Sequence, residues 1–211
     1  MPVKITVFSD THMLHKKVEI PDADILIFAG DMSVCRTIQD VAGFNDFLKT
    51  LPHKHKVVVG GNHDHLLASS PELGRKLLQN AIYLQDESVT IEGIKIYGSP
   101  WQPTFNTKAC NAFALPRGDT IRKKWDQIPL DTNILVTHSP PCGIMDEDSG
   151  FSHGCSDLLE RVKRVAPKFH IFGHIHNHNG MLRVGNTTFI NCNVKDKNNR
   201  VRPALTFDYP D

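Results

Sequence analysis

Aspartate, asparagine and histidine residues occur in five short clusters that could bind metal ions. Seven of their side chains offer oxygen or nitrogen donors: Asp10, His12, Asp31, Asn62, His138, His174 and His176. This donor set has no thiolate, and it suits Mn, Fe, Zn, Co or Ni better than Mg or Ca. Seven ligands exceed the needs of one four-coordinate zinc and are about right for two ions that share a carboxylate. The residue types therefore predict two divalent metal ions, and among the candidate metals we favour Mn.

Each cluster follows a short, apolar, β-branched segment. The segments are 3–8, 25–29, 57–59, 134–136 and 169–172. Near-continuous apolar segments of this length predict strands that are buried on both faces. Because ligands bind at the carboxyl ends of the strands in open α/β sheets, the five clusters can meet at one site. We also expect Asp10-x-His12 and His174-x-His176 to be extended, so that each pair points two ligands toward one place.

Helices and hairpins are predicted between and after these strands. Apolar residues at helical spacing predict helices over 36–49, 71–79, 119–127 and 156–165, the last with Ser156 as a candidate N-cap. Segments 89–97 and 181–191 are typical of hairpins that turn at Glu92-Gly93 and Gly185-Asn186. Strands that alternate with helices predict an α/β fold, and the hairpins indicate a second sheet. At 211 residues, the chain is expected to form one domain, 1–211.

Composition limits the partners and the location. The net charge is +1 with lysine and arginine spread along the chain, so there is no strong signal for nucleic acid. No apolar segment approaches the roughly 18 to 20 residues that cross a bilayer, and the first eight residues lack a signal-peptide pattern. Five irregularly spaced cysteines favour free thiols. We expect a soluble, cytoplasmic protein with a small-molecule substrate and no membrane association, and the oligomeric state stays open.

From Val3 to Asn191, the order of the clusters resembles that of calcineurin-like metallophosphoesterases. The motifs are Asp10-x-His12, Gly30-Asp31, Gly61-Asn62-His63-Asp64, Thr137-His138 and Gly173-His174-Ile175-His176. A narrower resemblance, to the metallophosphoesterase domain-containing (MPPED) family, depends on segments 99–103 (SPWQP), 137–141 (THSPP) and 154–159 (GCSDLL). The resemblance implies a four-layer α/β/β/α sandwich.

The resemblance also implies a role for each side chain. Three would bind the first metal: Asp10, His12 and His176. Asp31 would bridge both ions. Three would complete the second site: Asn62, His138 and His174. His63 would face the scissile phosphate, and Asp64 would hold the His63 imidazole in the useful tautomer. A metal-bridging hydroxide would attack a phosphodiester in line, while protonated His63 stabilises the phosphoryl oxygens or protonates the leaving group.

Differences from the motifs of related families narrow the range of expected activities. Segment 30–36 (GDMSVCR) lacks an aspartate of the phosphoprotein phosphatases and displaces their arginine by one residue, which disfavours a protein phosphatase. His174, which some MPPED members lack, is present, so we expect full activity. Phosphodiester hydrolysis is favoured, with 3′,5′-cyclic nucleotides as the family-level hypothesis. A phosphomonoesterase or nucleotidase, or a nucleotide-binding regulatory protein on the same scaffold, are the alternatives. The candidate substrate contacts are Arg36, Trp101 and His153.

Overall fold

The computed structural model of the chain describes residues 2–33, 37–104 and 111–210. The strands are β1 Val3–Phe8, β2 Ile25–Ala29, β3 His55–Val59, β4 Ile82–Tyr83, β5 Glu87–Ile91, β6 Ile94–Ser99, β7 Gln102–Pro103, β8 Ala114–Leu115, β9 Ile134–Thr137, β10 Glu147–Asp148, β11 Phe151–Ser152, β12 Phe169–Phe172, β13 Gly180–Val184, β14 Thr187–Asn191 and β15 Leu205–Tyr209. The α-helices are α1 Ile38–Thr50, α2 His65–Ser69, α3 Pro71–Leu77, α4 Asp119–Trp125 and α5 Ser156–Val165, and a 3₁₀ turn covers His15–Lys17.

Most of the strands form two mixed sheets. The first has the order β15-β1-β2-β3-β4, and the second has the order β13-β14-β12-β9-β6-β5. Strands β1 to β4 are parallel, as are β6, β9, β12 and β14. The two predicted hairpins are confirmed as β5–β6 and β13–β14, and they place antiparallel strands at both edges of the second sheet.

Three apolar cores separate four layers. Alternate residues of the buried strands point to opposite faces, so Ile27 of the first sheet packs in the core shared with the second sheet. Its neighbour Phe28 points the other way and meets Phe44 of α1, with ring centroids 4.6 Å apart. On the far side, Leu135 of β9 shares a third core with Trp125 of α4. The α/β/β/α sandwich implied by the resemblance is confirmed.

The predicted helices are confirmed, with changes at their ends. Helix α1 begins at Ile38, two residues later than predicted, because Thr37 and Asp40 form a reciprocal capping box. Helix α5 covers the predicted residues, but the proposed cap is wrong: Ser156 is the first helical residue and the N-cap is Cys155. Strands β4 and β15 are additions that the sequence pattern did not predict, and β15 pairs antiparallel with β1.

Two further expectations concern membrane segments and cysteines. Within the described ranges, no helix combines the length and the apolar character needed to cross a bilayer. The three cysteines that the structure describes, Cys142, Cys155 and Cys192, are free thiols, which agrees with the expectation from their spacing. The cytoplasmic location and the single domain over 1–211 stay predictions.

Candidate metal centre

The five clusters lie in loops at the carboxyl ends of parallel strands, as the sequence predicts. The extended conformation expected for the two D-x-H and H-x-H pairs is wrong, because β1 ends at Phe8 and β12 ends at Phe172. Asp10 and His12 instead have φ of 57° and 41°, and His174 has φ of 67°. Such left-handed backbone is costly for residues other than glycine and concentrates at functional sites. These tight turns, rather than a flat strand, set the direction of each side chain.

Asp10, His12 and His176 form the first group of potential ligands. Their ligand atoms all lie within 4.8 Å of one another. Nε2 of His176 is 3.4 Å from Oδ1 of Asp10 and 3.4 Å from Nε2 of His12. Two ligands that share one ion at about 2.1 Å each lie roughly 3.0 to 3.5 Å apart. The spacing of this group therefore matches ligands around one cation.

Asn62, His138 and His174 form the second group. Oδ1 of Asn62 lies 2.9 Å from Nε2 of His138 and 2.9 Å from Nδ1 of His174. His174 and His176 thus serve different groups, although they are two residues apart in the sequence. The positive φ at His174 turns the backbone between them. The expectation that this pair converges on one place is wrong, whereas its division between two sites agrees with the roles that the resemblance implies.

Asp31 lies between the two groups. Its Oδ2 atom is 3.4 Å from Nε2 of His138, 3.8 Å from Nε2 of His12 and 3.9 Å from Nε2 of His63. Its Oδ1 atom accepts a hydrogen bond of 2.9 Å from the backbone N–H of His63. Oδ2 is thus the oxygen that faces imidazoles of both groups, which is the position a bridging carboxylate requires.

The orientation of His138 is set by the backbone of β2. Nδ1 of His138 donates to the carbonyl oxygen of Ala29 at 2.9 Å, so Nε2 is left facing Asn62 and Asp31. Fixing one ring nitrogen in this way is the usual support of a metal-binding histidine. Gly61 makes the approach possible, because a Cβ atom there would collide with the Asp31 carboxylate and lie 2.8 Å from Nδ1 of His138.

The local electrostatics favour deprotonated ligands. Burial raises the pKa of Asp10, but the hydrogen bond with His176 and the charge of His138 outweigh it and bring the pKa to about 2. Burial also opposes ionisation of Asp31, yet His138 holds its pKa far below the usual range. Burial lowers the pKa of His12 to about 4 and that of His174 to about 3. At neutral pH, these carboxylates are charged and these imidazoles keep a free lone pair, the forms that bind metal.

His138 differs from these histidines. Burial lowers its pKa, but the nearby charges of Asp31 and Asp10 and the hydrogen bond to Asp31 reverse that effect and raise the pKa to about 10. The position thus attracts positive charge strongly. A proton on His138 supplies part of this positive charge, and a divalent cation would supply more.

Asp64 does not take the expected role beside His63. Its Oδ2 atom accepts hydrogen bonds from the backbone N–H of Gly61 at 2.7 Å and of Asp31 at 2.9 Å. Its Oδ1 atom has no hydrogen-bond partner among the described residues, and the side chain is fully buried. The expected contact with the His63 imidazole is therefore wrong. Asp64 instead fixes the two ligand loops to each other, because short loops leave buried N–H groups that need an acceptor.

His63 stands at the edge of the cluster. Its ring lies at 89° to that of His12, with centroids 4.8 Å apart, and its side chain keeps 23% of its exposed surface. Burial lowers the pKa of His63, so a neutral imidazole is favoured near pH 7, whereas the sequence-based mechanism expected a protonated one. A partly exposed position beside Asp31 leaves the ring accessible to a substrate.

An open cavity of about 540 Å³ lies over the cluster. Its walls include six of the predicted site residues: His12, Asp31, Asn62, His63, His174 and His176. Four further lining residues were not predicted: Asp148, Asn177, Lys195 and Lys197. The last two follow β14 in a polar segment without any motif, so no sequence signal identified them. Burial lowers the pKa of His176, but the hydrogen bond and charge of Asp10 outweigh it and raise the pKa, while the nearby charge of Lys195 lowers it slightly.

The three expected substrate contacts have different outcomes. Arg36 lies outside the described residues. Trp101 is held elsewhere: its Nε1–H donates to both oxygens of Asp86 at 2.8 and 2.9 Å, and Nζ of Lys124 lies 4.2 Å from its ring centroid. His153 donates its backbone N–H to Asp146 at 2.9 Å. Neither Trp101 nor His153 is among the described lining residues of the cavity, so their placement does not support the expected substrate role.

The fold and this cluster of oxygen and nitrogen donors define a metal-dependent phosphoesterase. A family model described as calcineurin-like phosphoesterase matches residues 3–178, and the chain belongs to that family. Metal-dependent hydrolysis of phosphoesters is the class of activity that this membership supports.

Relatives and solved structures agree with the assignment. The chain is 38% identical to human metallophosphoesterase domain-containing protein 1, a match that covers 96% of this chain and 69% of the relative. It is 37% identical to UPF0046 protein K07C11.7 of Caenorhabditis elegans, covering 97% and 75% respectively. The crystal structure of TT1561 of Thermus thermophilus matches with a TM-score of 0.60 at 14% identity, over 92% of this chain and 90% of that one. At this identity, the structural match shows the fold alone.

Proposed function

We propose that this protein hydrolyses phosphodiesters at a centre of two divalent metal ions, with 3′,5′-cyclic nucleotides as a candidate substrate class. The observation that carries the proposal is the position of Asp31 between two groups of donors at ligand-to-ligand spacing. The first ion would be held by Asp10, His12 and His176, and the second by Asn62, His138 and His174. Asp31 would contact both.

The donor set fits these ions. Nε2 of His138 faces two acceptor oxygens, of Asn62 and Asp31, while its Nδ1–H is used by Ala29. The raised pKa of His138 shows that this position favours positive charge, which a divalent cation would supply. Mixed imidazole and carboxylate donors suit Mn, Fe, Zn, Co or Ni, and we favour Mn. When bound, such ions neutralise phosphate charge and lower the pKa of water.

The chain's own residues would then position and protonate the substrate. His63 reaches into the cavity beside Asp31, where its imidazole can donate a hydrogen bond to a phosphoryl oxygen or a proton to the leaving oxygen. An anionic phosphate next to the ring would raise the low pKa of His63 toward the protonated form. General-acid catalysis of this kind typically contributes about 10²- to 10⁴-fold. Asp64 would keep the loops of Asp31 and Asn62 in register through its two backbone hydrogen bonds.

A phosphomonoesterase is the second candidate, and Lys195 and Lys197 favour it. Both line the cavity, and neither has an ion-pair partner within the described ranges. A monoester carries more negative charge than a diester, so additional cations at the cavity wall stabilise it more. The lysines also accommodate a diester with a further anionic group, so the choice needs kinetics.

Two model substrates test the proposal. Purified protein supplied with Mn²⁺ should hydrolyse bis(4-nitrophenyl) phosphate faster than 4-nitrophenyl phosphate, and His63→Ala should lose about 10²-fold or more in kcat while its metal content stays unchanged. A higher rate on the monoester would favour the second candidate. Full activity of His63→Ala at saturating metal would contradict the mechanism, and no activity of the unaltered protein on either ester would contradict the proposed function.

A further inference from the structure

A two-stranded hairpin, β10–β11, stands at the rim of the cavity over the metal cluster. Asp148 of β10 lines the cavity, and Asn177 of the cavity wall donates a hydrogen bond to its carboxylate. Nε2 of His178 lies 3.1 Å from the carbonyl oxygen of Glu147. Both contacts attach β10 to the loop that carries His176. The hairpin thus has a fixed side toward the site.

The register of the hairpin places Phe151 on that same side. Asp148 and Phe151 are directly opposite each other in the antiparallel pair. Side chains of directly opposite residues project to the same face of a sheet. Because the Asp148 carboxylate faces the cavity, the Phe151 ring projects from the same side of the hairpin, above the residues that line the cavity and not among them. The other pair, Glu147 and Ser152, belongs to the opposite face, where the Ser152 hydroxyl contacts Asp146.

Phe151 is the most exposed large apolar side chain among the described residues, at 71%. An exposed apolar residue by itself needs no explanation. An exposed aromatic ring on the cavity side of an anchored hairpin is different, because burying it against a ligand removes apolar surface from water. Its flat face can stack on another planar ring, and it can do so without disturbing the fold, since no described aromatic ring packs on it.

We propose that Phe151 determines specificity by stacking on a planar ring that the substrate carries beside the scissile phosphate, such as a nucleobase. This inference rests on the proposed phosphodiesterase activity and adds the chemistry of the group attached to the phosphate. In this arrangement, the scissile phosphate lies at the metal cluster and the planar ring of the substrate lies against Phe151 of the hairpin. A substrate with an alkyl arm would reach the same cluster but leave Phe151 uncovered.

Two esters with one leaving group test this role. Thymidine 5′-(4-nitrophenyl phosphate) and ethyl 4-nitrophenyl phosphate both release 4-nitrophenolate, and only the first carries a base on the other arm. Stacking on an aromatic side chain predicts that Phe151→Leu lowers the ratio of kcat/KM for the two esters by about 5-fold or more, mainly through KM. Phe151→Trp should keep or raise the ratio, and the similarly exposed Leu130 offers Leu130→Ala as a matched control with no effect.

The outcomes are separable. An unchanged ratio in Phe151→Leu, or an equal loss on both esters, would overturn the role of Phe151 and leave the phosphodiesterase proposal standing. If the unaltered protein hydrolysed neither ester, the proposed function itself would be contradicted. Thermal unfolding of each variant shows whether the fold is intact, and Phe151→Trp tests stacking even if Phe151→Leu is unstable.

Discussion

Oδ2 of Asp31 lies 3.4 Å from Nε2 of His138, and both side chains are buried. The separation is longer than a good charged hydrogen bond and close to the spacing of two ligands on one ion. The same oxygen lies 3.8 Å from Nε2 of His12, which belongs to the other group of donors. One carboxylate oxygen therefore connects two halves of a site that come from different strands.

Removing the charge of Asp31 should affect both metal positions. Asp31→Asn keeps the size and the backbone hydrogen bonds of the residue, but an amide is a much weaker metal ligand than a carboxylate. We expect metal affinity to fall by more than the roughly 10- to 100-fold that loss of a supporting partner costs, with a parallel loss of activity. Metal analysis and kinetics check this. The exposed Asp22→Asn is the matched control, and unchanged metal content in Asp31→Asn would contradict a shared ligand.

Two substitutions of Asp64 distinguish loop support from a role through His63. Asp64→Asn keeps an oxygen that accepts the N–H groups of Gly61 and Asp31, whereas Asp64→Ala leaves both without an acceptor. Each buried orphan donor costs about 1–3 kcal/mol. We therefore expect Asp64→Ala to be destabilised in chemical denaturation and Asp64→Asn to retain most stability and activity. Removing the carboxylate that orients a catalytic histidine costs roughly 10⁴-fold in kcat. A loss of kcat of that size in Asp64→Asn, with its stability unchanged, would favour the role through His63.

Lys195 should act on substrate binding rather than on the chemical step. It lines the cavity near His176 and has no carboxylate partner in the part of the chain that the structure describes. Lys195→Gln should raise KM for anionic substrates and reduce the dependence of kcat/KM on ionic strength, because a steering charge is removed. The change in KM should be larger for 4-nitrophenyl phosphate than for its diester. Equal KM values in Lys195→Gln and the unaltered protein would exclude this residue from substrate binding.

His170 should make the fold sensitive to acid. It is fully buried on β12 with Nε2 at 2.9 Å from Oγ1 of Thr137, and burial lowers its pKa to about 3. The neutral form is favoured in the folded state, so its stabilising effect is complete above the unfolded pKa of about 6.5 and declines as the pH falls from there toward 3. Between pH 7 and 5 the unaltered protein should lose roughly 2 kcal/mol more than His170→Gln. Denaturant titrations at both pH values measure this, and parallel losses would show that His170 does not titrate on unfolding.

The sequence predicted which candidate ligands come together better than it predicted their surroundings. Metal coordination restricts residue types, so Asp31 and His174 could be recognised from their chemistry and their position after buried strands. The tight backbone at Asp10 and the two N–H partners of Asp64 depend on tertiary contacts between loops, which local pattern does not contain. Lys195 and Phe151 occupy loop and hairpin positions where many residue types are tolerated. Lys195 lines the cavity and Phe151 belongs to the hairpin at its rim only because distant segments pack together, so neither position could be predicted from the sequence.

The number of metal ions per chain tests the central claim most directly. Protein stripped with a chelator and titrated with Mn²⁺ should bind two ions per chain, measured by calorimetry and by elemental analysis after gel filtration, and activity on bis(4-nitrophenyl) phosphate should return with the metal. His174→Ala should reduce the stoichiometry to one, because it removes a ligand of the second group alone. Binding of a single ion by the unaltered protein, or full activity without added metal after stripping, would contradict a two-metal centre bridged by Asp31.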